Sequence, residues 1–179
     1  GGPGGRRRPR PRALRVDAGG GVGGGAAARL RLGLYHPPRV AGVGWPVGVV
    51  RRLHDAHPDT VVGIKDSSGD WGTTAAFFGI DGLAVWPGSE AWLLDGLGEG
   101  GPGGISATAN VNAPAISEVV ALHLAGRHDE AAVALGVARE WRAGLGSPPV
   151  PALKLPLCPR LDHPTLAHVR TTAAERRPA

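Results

Sequence analysis

Short apolar runs alternate with longer amphipathic stretches through the middle of the chain. Residues 30–35 form a strand candidate ending in Tyr35, and His36-Pro37-Pro38 then forbids helix and forces a loop. Pro46 suits the first turn of a helix over 46–57, in which Val49, Val50 and Leu53 recur at helical spacing. The β-branched run at 61–65 is a second, buried strand closed by Lys65, and a polar, glycine-containing turn follows at once. Residues 73–80, with Phe77 and Phe78, are a short helix, and 83–86 a third strand ending at Pro87-Gly88-Ser89-Glu90. A helix over 91–97 and a fourth strand over 103–106 complete the alternation. Beyond that point the pattern is wholly helical. Residues 114–124 place Ile116, Val119, Val120 and His123 on one face, and 129–145 open with Asp129 and Glu130, matching the helix dipole. After a break at 147–151, two more helical pieces are expected over 152–157 and 165–175.

Four strand–helix alternations argue for a parallel α/β architecture. On pattern alone this is either a small open sheet or part of a (β/α)8 barrel. A complete barrel takes about 250 residues, and this chain has 179. Ligands of parallel α/β folds bind at the carboxyl ends of the strands, which here carry Tyr35, Lys65, Gly88 with Glu90, and Ser106 with Thr108 and Asn110. A lysine at the end of a buried strand is partly desolvated, which favours the neutral, nucleophilic amine. The chain holds two lysines, Lys65 and Lys154, against eighteen arginines, and only lysine forms a Schiff base. Tyr35 on the neighbouring strand is a candidate proton shuttle. Each residue has a plainer alternative: a strand-end lysine reaching solvent, a rim tyrosine, a turn glycine at 88, and turn or cap roles for Asp66, Ser67 and Ser68.

The charge adds little to this picture. Net charge is +5, yet residues 1–32 alone carry +7 and the remainder −2, so the basicity belongs to a tail. Residues 1–28 are rich in glycine and arginine and are expected to be disordered. That leaves 29–179 as the folded body. The tail lacks interleaved aromatics to stack bases, and its glycine run has no Gly-Lys-Ser/Thr ending, so neither nucleic acid nor a phosphate loop is expected. A single cysteine, Cys158, excludes an intramolecular disulfide. No apolar run approaches the ~20 residues that span a bilayer, and a cytoplasmic protein is expected. His54, His57, His123, His128, His163 and His168 show no metal-ligand spacing and are expected at the surface, while His36 either lines a pocket or starts the loop. The chain begins at Gly1 and contains no methionine, which suggests processing or an incomplete translation.

Four segments share one further property. Leu34-Tyr35-His36-Pro37-Pro38, Val62 to Asp70, Pro87-Gly88-Ser89-Glu90 and Gly104 to Val111 occur in an order and spacing that resemble the dihydrodipicolinate synthase / N-acetylneuraminate lyase family. The resemblance runs from about Leu32 through the C-terminal helices. It implies strands 5–8 of a (β/α)8 TIM barrel followed by C-terminal helices. It further implies Schiff-base lyase or aldolase chemistry on pyruvate or a 2-oxo acid, with no metal or organic cofactor. Lys65 matches the imine-forming lysine and Tyr35 the acid/base tyrosine, while Gly88 and Ile105 match positions lining the pyruvoyl pocket. A homo-oligomer, commonly a tetramer, is the family's usual assembly. Two departures stand out. The family's first four strands, with their Gly-Thr-Thr-Gly-Glu loop, have no counterpart, and the family's arginine five residues after the tyrosine is Val40 here. The alternative expectation is therefore a truncated, catalytically incomplete half barrel.

Overall fold

The protein is described by a computed structural model over residues 30–145 and 152–153. The expected disordered tail, the helical piece at 165–175, Lys154, Cys158, His163 and His168 lie outside the described residues, as does most of the piece at 152–157. The chain divides after Ile105 into two units.

In the first unit, β1 (Leu32–His36), β2 (Val61–Asp66) and β3 (Ala84–Pro87) form a parallel sheet in that order. The connections carry α1 (Pro38–Ala41) and α2 (Val47–Ala56) between β1 and β2, and α3 (Trp71–Phe78) between β2 and β3. A short 3-10 turn, Glu90–Trp92, then leads into α4 (Leu93–Gly98). Register aligns Leu34, Ile64 and Val85 in one row, and Tyr35, Lys65 and Trp86 in the next. Successive side chains of a strand point to opposite faces. The Leu34–Ile64–Val85 face packs onto Val50 of α2 and Phe77 and Phe78 of α3, with Ile80 and Leu83 completing the core. Val50, Ile64, Phe77 and Val85 are fully buried, each contributing roughly 1.5–3 kcal/mol of apolar burial. This packing directs the Tyr35–Lys65–Trp86 row to the opposite face.

Two expectations change. Residues 103–106 form no strand. Pro102 has no N–H to donate, Gly103 sits at φ 143, and only Ile105 bonds across, its N–H donating to Pro87 O at 3.0 Å. The described sheet therefore has three strands where four are expected. His54 is also not at the surface. It is buried, with Nδ1 2.7 Å from Val61 O and Nε2 3.0 Å from Asp81 O, tying α2 to the start of β2 and to the turn before β3.

The N-terminus of α3 starts two residues before its expected position because Asp70 caps it. The Asp70 carboxylate accepts from Thr73 N–H at 2.8 Å and Thr73 Oγ1–H at 2.7 Å. These bonds hold its pKa below the ordinary 3.8. A depressed folded-state pKa contributes stability that is present above the unfolded value and lost as pH falls through the folded one. Asp70→Ala is accordingly expected to lower the melting temperature by a few degrees at neutral pH. Melting curves of parent and variant should converge once the pH drops below the depressed pKa.

In the second unit, α5 (Ala109–Leu124) and α6 (His128–Ala143) pack on one another. Pro114 lacks a donor inside α5, and the helix kinks at Asn112 (φ −128, ψ 29). Val119 of α5 and Ala131, Leu135 and Ala138 of α6 are buried. Arg127 and Glu130 form an exposed ion pair at the start of α6. No helix among the described residues is long and apolar enough to cross a membrane.

Candidate active site

The register Tyr35↔Lys65↔Trp86 sets three side chains abreast near the carboxyl ends of the parallel strands. The Lys65 Nζ lies 4.6 Å from the centroid of the Tyr35 ring, over its face. That is a cation–π contact, and it holds the amine against the tyrosine on the neighbouring strand. Lys65 is half-buried, whereas Tyr35 is 51% exposed. The Lys65 amine and the Tyr35 phenol thus sit side by side near the end of the sheet where α/β folds bind ligands.

Behind them lies a buried polar cluster built from the next residue of each strand. His36 and Asp66 pair in register, 5% and 2% exposed, with His36 Nε2 3.9 Å from Asp66 Oδ1. His36 Nδ1 accepts the Trp45 N–H at 2.9 Å, so the neutral ring carries its proton on Nε2, facing the carboxylate. Asp66 accepts from Ser68 N–H at 2.9 Å, from Ser68 Oγ–H at 2.8 Å and from the buried Thr74 hydroxyl. The Trp45 indole N–H donates to Tyr35 O at 3.0 Å, and Ser67 N–H to His36 O at 2.9 Å. The backbones on either side of Tyr35 and Lys65 are therefore fastened from behind.

Gly88 and Ile105 both join the end of β3. Gly88 N–H donates to Asp66 O at 2.6 Å, and a Cβ at 88 would stand 2.5 Å from Ser67 Oγ and 2.6 Å from Asp66 O. Glycine is needed there because the turn after Lys65 comes this close. Gly88→Ala must push that turn away from β3 and is expected to cost about 1–3 kcal/mol. Denaturant titration of the two proteins measures it. Ile105 is 44% exposed and bonded to Pro87 O. Ser106, Thr108 and Asn110 bond locally instead: the two hydroxyls meet at 2.8 Å, and Asn110 Nδ2–H donates to Ala107 O at 2.9 Å.

Reading the sequence alone did not single out three contributors to this site. Trp86 completes the Lys65 row, and its one signal was Gly63, whose missing side chain leaves room for the indole. Asp66 is legible only as a turn or cap residue with Ser67 and Ser68, and its bonds to Ser68 are that turn chemistry. Trp45 carried no local signal, since a tryptophan in a loop is ordinary. Among the described residues, no group of three or more His, Cys, Asp and Glu side chains is placed to hold a metal ion. The second unit has a groove of about 490 Å3 between α5 and α6, lined by Leu122, Val133 and Val137 and by the exposed Arg127–Glu130 pair. No lysine and no strand end lines it.

The profile of the "Dihydrodipicolinate synthetase family" matches residues 26–151. An uncharacterized DapA-like lyase of Chloroflexus aurantiacus is 32% identical over 142 residues, covering 76% of this chain and 46% of the relative. The crystal structure of dihydrodipicolinate synthase DapA-2 from Bacillus anthracis superposes with a TM-score of 0.67 at 26% identity, covering 82% of this chain and 52% of the other. YagE from E. coli K12, a prophage protein of the dihydrodipicolinic acid synthase family solved in complex with pyruvate, gives 0.64 at 21% identity, covering 72% and 45%. The chain thus spans about half the length of the relatives it matches.

Proposed function

The chain belongs to the dihydrodipicolinate synthetase family, and from that premise we propose that it carries the lysine-bearing part of a Schiff-base lyase acting on pyruvate or a related 2-oxo acid. The observation that carries this reading is the placement of Lys65 Nζ over the Tyr35 ring, at the carboxyl ends of adjacent parallel strands. The pyruvate seen in the YagE complex supports the substrate class.

In this reading the neutral Lys65 amine attacks the C2 carbonyl carbon of the 2-oxo acid. Tyr35 relays the two nitrogen protons in turn to the former carbonyl oxygen, which leaves as water and yields the imine. When C4 carries a hydroxyl, the imine, protonated on nitrogen, takes up the electron pair of the breaking C3–C4 bond as an enamine. That hydroxyl gives its proton to Tyr35, and the C4 fragment leaves as an aldehyde. Protonation at C3 and hydrolysis then return pyruvate and the free amine. Gly88 and Ile105 line the pocket through backbone. The Asp66–His36–Trp45 cluster lies behind Tyr35 and Lys65 and fixes the backbones that carry them.

A second reading is a catalytically incomplete half. The described sheet has three strands and leaves Tyr35 half in solvent, whereas an eight-stranded barrel packs its interior in layers. One experiment separates the two: intact mass after incubation with pyruvate and borohydride, which reduces the imine to a stable amine. A pyruvate adduct supports the lyase reading. No adduct on a folded sample overturns it for this chain and leaves the incomplete half.

A further inference from the structure

Lys65 has a long, flexible side chain on the open face of the sheet, with a neighbour on each side in its register row. Its ammonium leans to one of them, lying 4.6 Å over the Tyr35 ring. The other neighbour explains why. A Cβ built on Gly63 would meet the Trp86 ring at 2.3 Å (Cζ3) and 2.8 Å (Cη2). The indole therefore lies from β3 across onto β2, over the residue two positions before Lys65 and on the same face. Gly63 is buried and Trp86 half-buried, so this ground is occupied. The ground over Gly63, two residues before Lys65 on this face, is covered by a rigid flat ring with two side-chain torsions. The β1 side remains.

We infer that Trp86 is a positioning residue for Lys65: its indole, seated over Gly63, steers the amine toward Tyr35. This goes a step beyond the reading of Lys65 as the imine lysine and rests on it for its catalytic meaning. The steric argument stands on the Gly63–Trp86–Lys65–Tyr35 geometry alone. Without the indole, Lys65 gains rotamers over β2 and β3 in which the nitrogen is no longer beside the phenol that must exchange protons with it. A misplacement of about 1 Å in a reacting group costs up to about a hundredfold in rate.

The test reads the lysine's position without any substrate. Reductive methylation with 13C-formaldehyde labels the full chain, which has only two lysines, and Lys65→Arg assigns the Lys65 signal. A dimethylammonium over an aromatic face is shifted upfield, and Tyr35→Leu measures the part of that shift due to Tyr35. Trp86 has a ring current of its own, so the quantity compared is the effect of Tyr35→Leu in each Trp86 background, a double-mutant cycle. The effect is expected to be large in the parent, retained in Trp86→Phe and lost in Trp86→Ala. Trp86→Leu keeps apolar bulk without the flat ring and is expected to lose most of it, which serves if the alanine variant does not fold. An equal Tyr35 effect in folded Trp86→Ala or Trp86→Leu overturns the inference. The borohydride rate with pyruvate forms a separate arm, expected to fall about tenfold or more in Trp86→Ala and to be rescued by Trp86→Phe. If the parent gives no pyruvate adduct while the methyl signals behave as expected, the lyase reading fails and the positioning role stands. An unchanged pyruvate rate in Trp86→Ala overturns the catalytic part of the role.

Discussion

Lys65→Arg is expected to abolish the borohydride-stable pyruvate adduct completely while leaving the fold in place. Arginine keeps the positive charge and also stacks on an aromatic face, so the contact over Tyr35, 4.6 Å in the parent, has a substitute. Its guanidinium is protonated at every accessible pH and forms no imine. The substitution therefore separates chemistry from packing better than Lys65→Ala, which removes a half-buried stem as well. Turnover should fall by at least about a thousandfold, the order seen when a covalent nucleophile is deleted. The melting temperature should stay close to that of the parent. Intact mass and peptide mapping locate the adduct. Persistence of the adduct in Lys65→Arg would move the nucleophile to Lys154 or to the terminal amine, and would sink the assignment.

Much of this site is legible in the sequence, and the limits have physical causes. The run Val61–Asp66 announces a buried strand because five of its six residues are buried, and such a strand shows no alternation to confuse the reading. Tyr35 and Lys65 could be placed at strand ends because Pro37-Pro38 and the Ser67–Gly69 turn punctuate the strands sharply. What alternation does not contain is register. That Tyr35, Lys65 and Trp86 stand abreast, and not one residue offset, follows from pairing between segments some 20 to 30 positions apart. Trp86 therefore reads, apart from the room that Gly63 leaves for it, as the last apolar residue of a strand. His54 was misplaced for a related reason. A histidine on an amphipathic helix resembles a surface residue until two distant carbonyls, Val61 O and Asp81 O, come within reach of its ring. The expected strand at 103–106 shows the opposite failure. Ile105 and its neighbours look extended locally, but Pro102 and Gly103 prevent a ladder beside β3.

The largest effect on stability is expected from Phe77→Ala. Phe77 is fully buried among Val50, Ile64, Ile80, Leu83 and Val85, so it joins α2 and α3 to the back of both β2 and β3. Truncation to alanine removes the ring's transfer free energy and leaves a cavity between a sheet and two helices, at a cost of about 3–5 kcal/mol. A domain typically holds about 5–15 kcal/mol in all, so the variant should be close to its unfolding midpoint under mild conditions. In denaturant titration the midpoint should fall with the slope unchanged, and Phe77→Leu should lose much less. The site should feel the loss before the chain unfolds. The Phe77 ring stands edge-on to His36, centroids 5.4 Å apart at 69°, and His36 is the residue next to Tyr35 whose Nδ1 holds the Trp45 N–H. With the ring gone, His36 loses the wall that keeps it against Asp66, and with it the brace behind Tyr35. Borohydride trapping at a denaturant concentration where Phe77→Ala is still folded should therefore already be slower than in the parent. A trapping rate equal to the parent's, at a reduced midpoint, would show that the polar cluster holds Tyr35 and Lys65 in place without help from the core beneath it.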